Sequence, residues 1–162
     1  MDDIVTLYRR HASAVFRFAW GLTGDRSAAE DLVSETFTRL LTRAPRIETR
    51  TALAYLLAIA RNAHLSGRRR RRREVPLAEE LRDPGNDVVS QLDDQARLAS
   101  VLSAVRDLPE SERAALLLRV DHDLSHDEIA SALGISVAAA KVRVHRARLR
   151  LANAMNSNRR NP

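Results

Sequence analysis

A chain of 162 residues, 44% of them hydrophobic but only 4% aromatic, has apolar material for one domain or two small ones, and suits Ala-, Leu- and Val-packed helices better than a β sandwich. The absence of cysteine excludes disulfides, thiolate zinc sites and a cysteine nucleophile, and no stretch approaches the roughly 20 apolar residues of a membrane span. The net charge of +6 is unevenly spread: residues 74–97 hold seven acids against two arginines, while everything after Glu128 is free of acids and carries seven cations.

These features predict an all-α protein. Asp2 and Asp3 stand where a signal peptide would be basic, so a cytoplasmic location without membrane insertion is expected. The first helix is expected over residues 3–22, with Ile4, Leu7, Tyr8, Val15, Phe18 and Leu22 on or near one face, before Thr23, Gly24 and Asp25 break it. Ser27 and Glu30 then have the spacing of a capping box, opening a helix to about residue 43 with Ala29, Val33, Phe37 and Leu40 inward. On its other face Asp31 and Glu35 lie one turn apart. Two readings stand: Asp31 complements the helix's positive end while Glu35 pairs with Arg39, or the ridge docks a basic partner.

After Pro45 a third helix should start near residue 51, bury Leu53, Leu56, Leu57, Ala60 and Ala63, and end near Gly67 and the six arginines of residues 68–73. Tyr55, Ile59, Asn62 and Ser66 form a second stripe beside Arg61. An aromatic, an amide and cations are the parts that hold single-stranded bases, although a Tyr covering a neighbouring element would give the same pattern. The arginine run reads equally as a solvated helix end or as a phosphate-binding segment.

Residues 74–92 contain Pro76, Pro84, Gly85 and scattered acids, which predicts a flexible linker between a domain over 1–73 and a second over 93–153, with a frayed tail at 154–162. In the second domain a helix with Leu98, Val101, Leu102 and Val105 on one side ends at Leu108. Pro109 starts another, with Glu110 and Glu112 at its positive end and Leu116, Leu117 and Val120 inward. The segment LSHDEIASALGISVAAAKVRVHRARLR at 124–150 then gives a helix capped by Ser125 and Glu128, a turn at Gly134, and a helix capped by Ser136. Ala140, Val144, Ala147 and Leu151 bury one side of it, and Lys141, Arg143, Arg146, Arg148 and Arg150 surround His145 on the other. That is a helix-turn-helix pattern, with cations for phosphates and donors for base edges; the bland alternative is a helical hairpin with a solvated basic face.

No nucleophile motif or glycine-rich loop appears, so neither catalysis nor a cofactor is expected. His122 and His126 stand four apart among Asp121, Asp123 and Asp127, but Leu124 and Ser125 mark a turn and cap between them, which argues against a helical metal pair.

Three blocks in order resemble the extracytoplasmic-function group of bacterial sigma factors, the promoter-specificity subunits of RNA polymerase. AEDLVSETFTRL at 29–40 is similar to the family's polymerase-docking helix, LLAIARNAHLSGRRR at 56–70 to its promoter-melting and −10-reading helix, and LPESERAALLLRVDHDLSHDEIASALGISVAAAKVRVHRARLRL at 108–151 to its −35-reading domain. The resemblance implies that Asp31, Glu35 and Arg39 face core polymerase, and that Arg46, Tyr55, Ile59, Arg61 and Asn62 handle unwound −10 DNA. It implies further that Lys141, Val142, His145 and Arg146 face the −35 groove with Arg143 and Arg148 nearer the phosphates. Many relatives carry Trp at Tyr55, Gln at Ser34, Asp at Ser66 and a Thr-Val pair at Ala139 and Ala140. The implied partners are core RNA polymerase, promoter DNA and an anti-sigma factor, in a minimal two-domain member of the family. The alternative from another class is a stand-alone helix-turn-helix repressor or activator, for which neither a dimer interface nor a sensor domain is visible; a basic RNA-binding protein would explain the arginine run but not the acidic ridge.

Overall fold

A computed structural model describes residues 3–74 and 93–160, which form α1 (Ile4–Thr23), α2 (Arg26–Thr42), α3 (Ala52–Glu74), α4 (Asp93–Asp107), α5 (Glu110–Val120), α6 (His126–Leu133) and α7 (Val137–Arg160). Among the described residues there is no strand, and no helix is long and apolar enough to cross a membrane. Of the expected linker only Glu74 lies within the described residues, as the last residue of α3.

The first three helices form one packed unit. Asp3 caps α1 by accepting the Thr6 N–H at 2.8 Å, bonds that also hold its carboxyl below the ordinary range. Gly24 ends α1 with φ 70°, its N–H bonding the Trp20 carbonyl at 2.8 Å. Asp25, rather than Ser27, then caps α2: its Oδ1 accepts the Ser27 N–H at 3.1 Å, which places Ser27 inside the first turn and leaves Glu30 to pair with Arg26 at 3.2 Å. The expected Ser27–Glu30 box is therefore replaced by a cap two residues earlier, since Asp25 is already in place as the chain leaves the Gly24 turn.

Two helices outrun expectation. α3 continues through Gly67 and the arginine run to Glu74. Glycine in a helix interior costs about 1 kcal/mol against alanine, but arginine is a good helix former and cations suit a helix C-terminus. α7 likewise runs on to Arg160, so residues 154–160 of the expected tail are helical, again ending on cations, Arg159 and Arg160.

α5, α6 and α7 pack on one another, with α4 against α7. Arg113 gathers the α4–α5 corner, donating to the Arg106 and Leu108 carbonyls at 2.8 and 3.0 Å. α4 keeps Leu98, Val101 and Leu102 exposed and Val120 stands out at the end of α5, so these expected inward positions are not core; Ala114, Ala115 and Leu118 are buried in α5 instead.

The two domains close on each other. α1 meets α5 and α3 meets α6, and the apolar core runs without a break from Phe18, Phe37 and Leu57 to Leu118, Ile129 and Val144. At the α1–α5 contact, a Cβ on Gly21 would stand only 2.6 Å from Leu117 Cδ1, so glycine permits the close approach. Arg113 Nη1 reaches across to the Leu22 carbonyl at 2.7 Å, and the Phe18 ring meets His122 edge-on at 5.8 Å.

Candidate nucleic-acid interface

The acidic ridge lies on the outside of α2. Leu32, Val33, Thr36 and Phe37 face inward, leaving Asp31 and Glu35 exposed and Arg39 partly so. Arg39 Nε donates to Glu35 Oε1 at 2.9 Å, a pair exposed enough to contribute only a few tenths of a kcal/mol and to exchange partners readily.

The residues expected to handle −10 DNA fall into three environments. Arg46 and Asn62 are exposed. Tyr55 is half-buried, with its hydroxyl donating to the Pro45 carbonyl at 2.5 Å; this ties the loop before α3 to the helix, and burial raises the phenol pKa. Ile59, by contrast, is 0% exposed, and Arg61 only 8%. Ile59 is a core residue and is corrected as a DNA contact: the three-helix unit covers one side of α3 and α6 covers another, so Leu56 to Arg61 are buried without interruption. Arg61 points into the seam between domains, donating from Nε and Nη2 to the two carboxylate oxygens of Glu110 at 3.2 and 3.1 Å and from Nη1 to the Leu133 carbonyl at 3.3 Å.

His64 lies one turn further along the same seam. Burial lowers its pKa to about 4, against the pull of the Glu110 carboxylate and with the help of the nearby cations Arg68, Arg113 and Arg71. Beside Asn62, a cleft of about 370 Å³ separates the loop residues Arg46, Ile47 and Glu48 from Ser131, Leu133 and Gly134 of the helix-turn-helix.

The helix-turn-helix is built as its sequence requires. Ser125 Oγ accepts the Glu128 N–H at 3.2 Å, Gly134 takes φ 67°, the Ile135 N–H returns to the Ala130 carbonyl at 3.0 Å, and Ser136 Oγ accepts the Ala139 N–H at 3.0 Å. Ala140, Val144 and Ala147 are buried; Lys141, Val142, His145, Arg146 and Arg148 are exposed and Arg143 is half-buried. Arg150 departs from the basic face: its Nε lies 2.9 Å from Oε2 of the buried Glu112 and braces α7 on α5.

Sequence reasoning placed Glu110 and Glu112 only as companions of a helix dipole. Their arginine partners lie far away in the chain, and nothing in a single sequence pairs them; His64 sat in the quoted −10 block without a role. His122 is sealed against Phe18, its pKa lowered by burial against the pull of Asp121 and with help from Arg17, and no cluster of three metal-ligating side chains occurs among the described residues.

Comparison with known proteins places these parts. Residues 7–74 match the family model for sigma-70 region 2 and residues 98–151 that for sigma-70 region 4. The chain is 35% identical to the ECF RNA polymerase sigma factor SigE of Mycolicibacterium smegmatis over 150 residues, covering 90% of this chain and 58% of that protein. It is 30% identical to SigM of Bacillus subtilis over 147 residues, covering 90% of each. Among solved structures, the sigma factor RpoE of Bartonella quintana, in complex with the anti-sigma factor NepR, superposes with a TM-score of 0.76 at 26% identity, covering 96% of this chain and 98% of that one. With region 2 followed by region 4, and with a relative 30% identical that the chain covers to 90%, the chain belongs to the extracytoplasmic-function group of the sigma-70 family of RNA polymerase sigma factors.

Proposed function

We propose that this protein is a non-catalytic initiation factor that docks on core RNA polymerase through the α2 ridge of Asp31, Glu35 and Arg39 and places two DNA-reading surfaces on one promoter. Arg46, Tyr55 and Asn62 engage the melted −10 strand, and Arg61 joins them where its bonds to Glu110 and the Leu133 carbonyl are released. Lys141, Val142, His145 and Arg146 read the −35 groove, with Arg143 and Arg148 against phosphates. The observation that carries this reading is the exposed cationic face of α7, following a capped helix and a left-handed glycine turn, in a chain whose other half is region 2. A lone helix-turn-helix buries little surface and binds weakly, so specificity arises when both domains are held together on the enzyme. The protein acts in the cytoplasm, where its polymerase is, and an anti-sigma factor is its expected restraint, as NepR is a partner of the Bartonella protein.

The test is transcription from a promoter library by purified core polymerase with and without the protein. Promoter-specific transcripts that depend on the protein support the reading. Their absence, together with tight sequence-specific duplex binding by the protein alone, overturns it in favour of a stand-alone repressor. The double substitution Asp31→Lys and Glu35→Lys should abolish polymerase binding with the helical fold retained; unaffected binding sinks the docking assignment.

A further inference from the structure

We infer that Tyr55 is a positioning residue: its hydroxyl, bonded to the Pro45 carbonyl, fixes the direction in which Arg46 leaves the loop before α3, and through Arg46 it sets which base of the unwound strand is preferred. The inference rests on the proposed role of Arg46 in −10 binding, and it moves the contribution of Tyr55 from its ring to its hydroxyl.

The loop between α2 and α3 has no regular secondary structure, yet its side chains alternate. Pro45, Ile47 and Thr49 are half-buried, while Arg46, Glu48 and Arg50 are exposed. A period of two is what an extended segment shows when one side is fastened and the other faces water. Each inward residue has its own fastening. Ile47 packs against the apolar core, and the Thr49 hydroxyl donates to the Thr51 carbonyl at 3.1 Å. Proline has no backbone N–H to donate, so Pro45 is held through its carbonyl, which accepts the Tyr55 hydroxyl at 2.5 Å and the Ile47 N–H at 3.1 Å.

The second of these bonds closes a three-residue γ-turn with Arg46 at its centre. Arg46 is thus held from both sides, by Ile47 in the core and by Pro45 on a phenol that comes from α3. That phenol is itself well fixed: the Thr51 hydroxyl caps α3 by accepting the Ala54 N–H at 3.1 Å, and Ala54, Leu56 and Leu57 beside Tyr55 are buried. An aimed guanidinium can meet two acceptors on a base edge. On a loose loop it is left with phosphate, whose charge attracts it from any direction. Stacking of bases on Tyr55 would need only the ring, which Phe also has, so one oxygen atom separates the two roles.

Two measurements on the full-length protein use Tyr55→Phe, which keeps the ring and removes the bond. The first reads the loop alone. The chain has no cysteine, so Arg46→Cys takes a single nitroxide label at an exposed position. Its spectrum should be that of a restrained side chain, and should gain a sharp, mobile component when Tyr55→Phe is added. Tyr8→Phe removes the chain's other phenol oxygen, on α1, and should change nothing. The second measurement is transcription by core polymerase from a promoter library randomised across the −10 element. Tyr55→Phe should flatten the base preference about fivefold, the lower end of what a bidentate contact discriminates, at the same position that Arg46→Ala flattens. The −35 preference should be unchanged, and the double variant should lose little more than Arg46→Ala alone, because both changes act through one guanidinium. Equal label spectra with and without the Tyr55 hydroxyl overturn the inference. So does a Tyr55→Phe protein whose loss falls at a different base from that of Arg46→Ala, or whose loss adds in full to it. A wild type that gives no promoter-specific transcripts sinks the −10 reading and this inference together; a wild type that gives them, beside a Tyr55→Phe protein with the same −10 preference, sinks the inference alone.

Discussion

α3 and α7 are both cationic helices expected to face DNA, and the fold treats them oppositely. α7 buries a single stripe, Ala140, Val144 and Ala147, and leaves its basic side open. α3 is buried from Leu56 to Arg61 because two domains clamp it, and its one cation in that stretch is consumed by Glu110. A helix's own periodicity therefore tells which side the nearest domain takes; whether the other side is available depends on what else docks there.

The sharpest way to break this comparison is at Ile59, which a DNA-facing α3 would leave exposed. Buried completely, its truncation to Ala should remove about 2–5 kcal/mol of stability through lost burial and a residual cavity, read as a fall in the urea midpoint. A loss of less than about 0.5 kcal/mol, the usual surface value, would mean that α3 is open in solution and that the contrast with α7 fails.

Acid should act on α3 and spare α7. Burial holds His64 well below its ordinary value of 6.5, at about 4, so the neutral form is the one the closed fold accepts. Stability from this group is complete above about pH 6.5 and is lost as pH falls through the interval down to about 4, because the unfolded chain binds the proton first. The charges facing it are Glu110 and Arg113 from α5 and Arg68 and Arg71 from α3; protonation would be welcomed by the first and opposed by the other three. His122, lowered by burial beside Asp121 and Arg17, adds in the same direction. Wild type should therefore lose more of its urea midpoint between pH 7 and pH 4.5 than His64→Leu does. Equal losses in the two proteins would show that His64 is already hydrated.

Much of the C-terminal half was legible because its signals are local: Ser125, Gly134 and Ser136 act within four residues of themselves, and Ala140, Val144 and Ala147 bury as their spacing requires. The all-helical, two-domain plan followed from composition and from the aperiodic stretch with Pro76, Pro84 and Gly85 between the halves. What was not legible is long-range. Arg61 and Glu110 are 49 residues apart and Arg113 reaches 91 residues back to Leu22, and no periodicity encodes such pairs. Ile59 was misread for the same reason. The cap of α2 and the ends of α3 and α7 failed differently: Asp25 outcompeted an equally plausible Ser27, and runs of arginine, read as the end of structure, prolong helices.

On the open side, Arg146→Ala should weaken discrimination of the −35 element in the polymerase-bound protein by about 1–3 kcal/mol if the side chain makes a bidentate base contact, with stability unchanged to within about 0.5 kcal/mol. This is the mirror image of Ile59→Ala, large in recognition and negligible in folding. An equal loss on every promoter sequence would reassign Arg146 to phosphate, where contacts position the protein without specifying bases.

The smallest effect expected is at the start of α7. Its first turn carries no acidic residue, so the free N–H groups there depend on the Ser136 hydroxyl, which takes the Ala139 N–H at 3.0 Å. Replacing Ser136 by Ala should cost about 1 kcal/mol, the usual value of such a cap, because Ala140 at the end of that turn is fully buried and ties its fraying to the rest of the domain. The distance between spin labels on cysteines introduced at the exposed positions Ser34 and Ala152 should stay narrow, since α3 packs on α6 while the Ser136 bond lies at the start of α7. If stability falls and the domains also separate, the open helix and the covered one are coupled through the Gly134 turn that joins α6 to α7, and the two hands of the protein cannot be adjusted independently.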